Sequence, residues 1–199
     1  MGIAGGSASG KSTLAETLAQ TFETKCLHIR LDDFYRDLAH LPVAKREQQD
    51  FDIPTAIDWA TLFNAVRSLR DWNPARIPEY CFSSHTRKRK FRVLDAKPLV
   101  FIEGLWAFYS PALHSVFQKT IFVDCPIETR LERRLARDSK ERGRSKESIR
   151  ETFLQRVIKP EETWVAPQLE SADHVVNSPV LPSHIDEITC EITSLVRAR

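Results

Sequence analysis

Eight residues near the start constrain this chain more than any others. Gly5-Gly6-Ser7-Ala8-Ser9-Gly10-Lys11-Ser12 has the spacing G-x-x-x-x-G-K-[S/T], and it sits between an apolar start, Met1 to Ala4, and the helix-like run Thr13-Leu14-Ala15-Glu16-Thr17-Leu18-Ala19. A strand before and a helix after separate this pattern from an ordinary glycine-serine turn. Glycines let backbone N–H groups close around phosphate oxygens, a lysine neutralises the β- and γ-phosphates, and a serine hydroxyl suits Mg²⁺. The segment Gly5, Gly6, Ser7, Ala8, Ser9, Gly10, Lys11, Ser12 and Thr13 is therefore expected to bind a nucleoside triphosphate.

Length and composition bound the rest. At 199 residues and 42% hydrophobic, the chain can bury one sizeable core, and one domain over 1–199 is expected. A formal charge of +2 is near balance, so no global field points to nucleic acid or to a membrane surface. Cys26, Cys81, Cys125 and Cys190 show no C-x-x-C spacing and read as reduced thiols, buried in three of the four cases. The most apolar run, Leu99 to Ile102, is stopped by Glu103, far short of the ~20 residues a bilayer span needs. There is no basic-then-apolar leader, so a cytoplasmic protein is expected. Met1 to Ala4 is short for a central strand, which suggests that the natural start lies upstream.

The elements alternate in the α/β manner. Cys26 to Leu31 is a strand candidate ending at Asp32-Asp33, and Phe34 to Ile57 is a long loop carrying Pro42 and Pro54. Asp58 caps a helix whose Trp59, Leu62, Phe63, Val66 and Leu69 form a core stripe. Residues 76–95 read as a projecting β-hairpin turning at Ser83-Ser84-His85. Leu99–Glu103 and Thr120–Asp124 are uninterrupted apolar runs, as parallel strands covered on both faces require. Pro126 opens a basic helix to about Asp138. A charged break, Ser139 to Arg144, follows, then a helix to about Lys159 that Pro160 interrupts, a short strand at His174–Val176, and a last helix from Ser183. The expected fold is a three-layer P-loop NTPase, a parallel sheet flanked by helices, with the hairpin insertion and an arginine-rich lid at about 138–146.

Two carboxylates fall where ligands of open α/β sheets bind. Asp32 ends the second strand, facing the crevice, and is the candidate general base. Glu103, after four apolar residues, stands where an acid would hold the metal or its water. Arg130, Arg134 and Arg137 share a helix face at i, i+4 and i+7 that can clamp polyphosphate, although interspersed acids also suit a solvated face. Arg87-Lys88-Arg89-Lys90 reads as exposed-edge charge on the hairpin rather than a nucleic-acid patch.

Taken in order, these motifs resemble the uridine kinase (uridine-cytidine kinase) group of phosphate-loop kinases, within the phosphoribulokinase/uridine kinase family. The resemblance covers roughly Gly2 to Val176. It rests on the loop at 5–12, Asp32 with Phe34-Tyr35-Arg36, Phe51-Asp52-Ile53-Pro54 with Asp58, Pro78-Glu79-Tyr80-Cys81-Phe82 with His85 and Arg87, Glu103-Gly104 with Ala107-Phe108-Tyr109, and Arg133-Arg134 through Arg137-Asp138 to Arg142-Gly143-Arg144. The resemblance implies ATP (or GTP) and Mg²⁺, with Ser12, Glu103 and Asp32 around the metal and Asp32 activating a nucleoside 5′-hydroxyl. It also implies that Asp52 and Arg134 grip the ribose, that Tyr80, Phe82 and His85 enclose the base, that Arg137 and Arg142 close as a lid, and that Arg144 lies near the base. Two positions depart from the family pattern: Ile53, where His is frequent, and Thr152, where a base-reading Gln is usual.

The implied activity is uridine/cytidine kinase, with a small-molecule nucleoside as partner, no nucleic acid or membrane partner, and room for a homo-oligomer. The rivals are a related small-metabolite kinase of nicotinamide riboside, pantothenate or phosphoribulose type, and a non-catalytic nucleotide-binding regulator. The guanine-reading pattern Asn-Lys-x-Asp is absent from the sequence, which argues against a GTPase switch.

Overall fold

The computed structural model describes residues 1–142 and 145–197. Its centre is a five-stranded parallel sheet of β1 (Gly2–Gly5), β2 (Cys26–Arg30), β7 (Leu99–Glu103), β8 (Thr120–Asp124) and β9 (His174–Asn177), in the order β2-β7-β1-β8-β9. All four pairings are parallel, with Ile3 opposite Ile121 on one side of β1 and Gly2 opposite Ile102 on the other.

Alternation along the strands sends successive side chains into different cores. Ile3, Phe101, Ile121 and Val123 pack with Leu14 and Leu18 of α1 (Lys11–Phe22) and with Ile188 and Ile192 of α8 (Pro182–Arg197). Ala4, Ile102 and Phe122 pack on the other face with Leu62, Ala65 and Leu69 of α3 (Trp59–Arg70) and with Leu113 of α4 (Pro111–His114). Burial on both faces is why the central strands read as continuous apolar runs. The short β1 is a full member of this sheet, hydrogen-bonded on both sides.

The insertion is two short ladders in series. β3 (Ala75–Ile77) pairs with β6 (Arg92–Leu94), and β4 (Tyr80–Cys81) pairs with β5 (Thr86–Arg87) around the turn at 82–85. His85 there takes a positive φ of 52°. The loop before α3 contains the helical turn α2 (Val43–Arg46) and a 3₁₀ turn at Pro54–Ala56, and Asp58 caps α3 by accepting from the Thr61 N–H at 3.1 Å.

The lid region differs from the sequence expectation. Helix α5 (Ile127–Arg142) does not stop at Asp138 but runs through most of the charged break. Ser145 then caps α6 (Lys146–Thr152), a π turn spans Phe153–Val157, and α7 (Ile158–Trp164) follows. Pro160 lies inside α7 rather than ending a helix. It occupies the first turn, where a missing N–H costs least.

The four cysteines are free, but only Cys125 is buried and Cys190 is exposed, so the expectation of three buried thiols does not hold. Cys26 lies at the sheet edge on β2, and Cys81 lies in the projecting hairpin, where side chains are only half covered. Among the described residues no helix is long and apolar enough to cross a membrane.

Candidate active site

Residues just past the carboxyl ends of β1, β2, β7 and β9, namely Ser7, Asp32, Leu105 and Ser178, line one cavity of about 1680 Å³. β1 runs into the glycine loop, β2 into the turn bearing Asp32, and β7 ends at Glu103. This is the edge where ligands of open α/β sheets bind.

The loop meets α1 at Gly10, whose φ of 107° is a left-handed conformation that residues with a Cβ rarely adopt. Gly10 leaves the helix start without a side-chain cap, and the first turn carries no acid, so its N–H groups and positive dipole end stay available to an anion. Lys11 Nζ folds back to within 3.4 Å of the Gly6 carbonyl. Ser7, Ala8, Gly10, Lys11, Ser12 and Thr13 line the cavity. Gly5, Gly6 and Ser9 form the buried rear of the same turn, where the Ser9 N–H bonds the Gly6 carbonyl at 3.1 Å.

Where the loop enters α1, Ser12 Oγ donates to Glu103 Oε1 at 3.1 Å. Gly104 matters here because a Cβ on it would meet the Leu31 side chain at 2.4 Å. Its absence lets the ends of β2 and β7 lie close enough for Asp32 and Glu103 to repel each other. Burial pushes the Glu103 carboxyl up to about 7, with Lys11 pulling it down and Asp32 pushing it further up. Asp32 is also raised, chiefly by burial, against the opposing pull of Lys11 and Arg30. Hydroxyl and carboxylate oxygens around a lysine form a donor set suited to Mg²⁺ bridging phosphate oxygens.

The neighbouring Asp33 does a different job. It is buried and accepts from Arg30 Nη2 at 3.0 Å and Arg92 Nη2 at 2.8 Å, tying β2 to the base of the hairpin.

Arg133, Arg134 and Arg137 of α5 line the same cavity as the loop. Arg134 Nη1 donates to Ser7 Oγ at 3.1 Å, while its Nε, at 3.3 Å, and Arg137 Nε, at 2.8 Å, both bond the fully buried Asp138. Arg130 pairs with Glu161 of α7 and reaches the Cys125 carbonyl at 3.1 Å. Arg133, off the face picked out from the sequence, donates to the Ser9 carbonyl at 3.1 Å and to Ser178 Oγ at 2.9 Å. The Arg130 and Arg134 guanidinium groups both lie over the Phe153 ring, at 5.9 and 5.8 Å. The Arg142 side chain and Arg144 lie outside the described residues.

The remaining wall comes from the long loop and the hairpin. Asp52, Tyr80, Phe82 and His85 line the same cavity as Lys11 and Asp32, so the structure brings these positions together. Tyr80 packs against Tyr35 and Phe82, each with ring centres 5.3 Å apart, and His85 stacks on Phe51 at 4.6 Å. Burial raises the Asp52 carboxyl to about 6, against the attraction of Arg134.

Sequence reasoning quoted Arg133 and Phe51 within motifs but gave them no role, and it missed Glu161 and Arg156. Arg156, in the π turn one helical step beyond Thr152, lines the cavity with it. Motif spacing carried no signal for a π turn; Phe51 was legible as part of Phe51-Asp52 but carried no role.

The chain matches the model of the phosphoribulokinase/uridine kinase family over residues 1–184. It is 34% identical over 200 residues to a uridine kinase of Staphylococcus epidermidis, covering 98% of this chain and 96% of that protein. It is 36% identical over 178 residues to uridine-cytidine kinase B of Dictyostelium discoideum, covering 88% of this chain and 73% of that one. The fold is that of phosphoribulokinase from Rhodobacter spheroides, with a TM-score of 0.65, 18% identity, and coverage of 88% of this chain and 68% of that structure.

Proposed function

Because the chain belongs to the phosphoribulokinase/uridine kinase family, we propose that it is a phosphotransferase acting on an alcohol, a uridine/cytidine kinase that moves the γ-phosphoryl of ATP (or GTP) to the nucleoside 5′-hydroxyl. The observation that carries this reading is that Lys11, Ser12, Asp32, Asp52, Tyr80, Phe82 and His85 all line one cavity.

The loop N–H groups and Lys11 hold the β- and γ-phosphates, and Ser12, Glu103 and Asp32 are the residues that would hold Mg²⁺, which neutralises phosphate charge. Asp32 accepts the 5′-hydroxyl proton as that oxygen attacks the γ-phosphorus and ADP departs. Asp52 and Arg134 orient the ribose, Tyr80, Phe82 and His85 enclose the base with Arg144 assigned beside it, and Arg137 and Arg142 close over the reactants. Closure excludes water, which would otherwise compete with the hydroxyl.

The test is ADP release with uridine, cytidine, 2′-deoxyuridine, nicotinamide riboside, pantothenate and ribulose 5-phosphate, with products identified by mass. A nucleoside 5′-monophosphate as the dominant product supports the reading. Preferential turnover of a non-nucleoside acceptor, or nucleotide binding without transfer to any acceptor, overturns it.

A further inference from the structure

The basic run on the hairpin is not uniform. Lys88 is 59% exposed, and Arg89 and Lys90 are exposed too, but the Arg87 side chain is only 15% exposed. The reading of all four as edge charge fails for Arg87, because its guanidinium is turned inward and donates from each of its three nitrogens. Nε donates to the Tyr35 carbonyl at 2.8 Å, Nη2 to the Phe34 carbonyl at 2.9 Å, and Nη1 to Asp58 Oδ2 at 3.0 Å. Its backbone N–H adds a bond to Asp37 Oδ1 at 3.2 Å.

Three parts of the site meet at this one side chain. Arg87 pairs across the ladder with Tyr80, so it belongs to the wall that carries Tyr80, Phe82 and His85. Phe34 and Tyr35 follow Asp32 by two and three residues in the same short turn and its exit. Asp58 caps α3 and donates its own N–H to the Phe34 carbonyl at 2.8 Å, so that carbonyl is shared by the helix cap and the arginine. The Tyr35 ring, next to the carbonyl that Arg87 holds, packs edge-on to Phe51 at 5.7 Å and Phe82 at 6.3 Å.

We propose that Arg87 is a positioning residue for phosphoryl transfer: its guanidinium fixes the spacing between the acceptor-binding hairpin and the turn that carries Asp32. The proposal rests on the kinase reading above. A guanidinium is suited to this task because its donors diverge in one rigid plane and satisfy three acceptors from three segments at once. An ammonium at that place keeps the charge near Asp58 but cannot span both carbonyls. The hairpin is also held at its base, where Arg92 meets Asp33, at its turn, where Arg46 Nη1 donates to the Ser84 carbonyl at 3.0 Å, and by the Tyr80 ring packed on Tyr35 at 5.3 Å. Ring packing is not directional, so at the level of Tyr80 the hydrogen bonds of Arg87 set the spacing.

The experiment compares Arg87→Lys and Arg87→Ala with wild type, using the acceptor that wild type turns over best in the panel. ATP binding is measured by calorimetry without acceptor, and acceptor KM and kcat are measured at saturating ATP. The expected result is ATP affinity within about twofold of wild type, acceptor KM raised about tenfold and kcat lowered severalfold. Arg87→Lys should melt closer to wild type than Arg87→Ala does, yet fail to restore acceptor KM. Unchanged acceptor kinetics in both variants would overturn the proposal, as would a parallel loss of ATP affinity and turnover, the mark of a merely structural anchor. If wild type uses no nucleoside, the kinase reading falls for its substrate, while the Arg87 comparison still runs on the acceptor found.

Discussion

Ser12 Oγ donates to Glu103 Oε1 at 3.1 Å across 91 residues of sequence, joining the first turn of α1 to the end of β7. One hydroxyl bond to a buried carboxyl does not equal the hydration that the carboxylate gives up, so Glu103 is held up at about 7.

A pH dependence of stability follows. The folded carboxyl titrates near 7, above its ordinary 4.5, so the folded state binds the proton that the unfolded state has already lost. Stability from this group is full below about 4.5 and declines as pH rises to about 7, by roughly 2–3 kcal/mol across the window. Glu103→Gln should flatten the fall in melting temperature of the ligand-free protein between pH 5 and pH 8. Thermal melts at matched ionic strength check this. An undiminished slope in the variant would assign the fall to Asp32 and Asp52, both also raised.

Lys11→Ala and Asp32→Asn should separate phosphate handling from hydroxyl activation. Lys11→Ala removes a fixed charge where transition-state charge develops, and kcat should fall at least a hundredfold, about 3 kcal/mol. Asp32→Asn should cut kcat similarly while leaving ATP affinity within a fewfold, since the lost function is proton acceptance. Steady-state kinetics paired with calorimetry distinguish the two. Loss of ATP affinity alone in Asp32→Asn would make Asp32 a metal or structural residue.

The base side carries a specificity prediction. Thr152 and Arg156 replace the amide expected from the family pattern with a short hydroxyl and a donor-only cation, four residues apart at the π turn. Arg156→Ala should raise acceptor KM about tenfold, the worth of one charged hydrogen bond, with ATP KM unchanged. Thr152→Gln should shift the ratio of uridine to cytidine turnover. Equal ratios in wild type and Thr152→Gln would show that position 152 does not read the base.

How much of this site was legible in sequence varies with the kind of signal. The loop at 5–13, Asp32 and Glu103 were legible because strand-end position and motif spacing are local properties of the chain. Asp58 was legible as a cap for the same reason. Arg87 and Arg133 were not, because their meaning lies in carbonyl groups contributed by distant segments, and a carbonyl has no signature in the sequence. The extension of α5 to Arg142 was hidden by charge: Lys140 and Arg142 read as a loop, yet straight-chain charged residues are good helix formers. The π turn after Thr152 left no pattern to read at all.

Asp52 provides the sharpest test of the acceptor half. It is half-buried in a polar loop, with its carboxyl raised to about 6 by burial and drawn down by Arg134. A carboxylate there can accept from both ribose hydroxyls, whereas the protonated form loses acceptor capacity. Acceptor kcat/KM should therefore climb as pH rises through about 6, and Asp52→Asn should remove that step. A 2′-deoxynucleoside leaves one acceptor site unpaired in a partly desolvated pocket, a loss of ~1–3 kcal/mol, or about tenfold to a hundredfold in kcat/KM. Asp52→Ala should weaken uridine turnover and erase most of the ribo-over-deoxy preference, since the discriminating group is gone. Uridine and 2′-deoxyuridine on wild type and Asp52→Ala make a double cycle whose coupling term isolates the contact. Equal preference ratios in the two proteins would place sugar recognition elsewhere, with the Arg134 guanidinium at the next position to truncate.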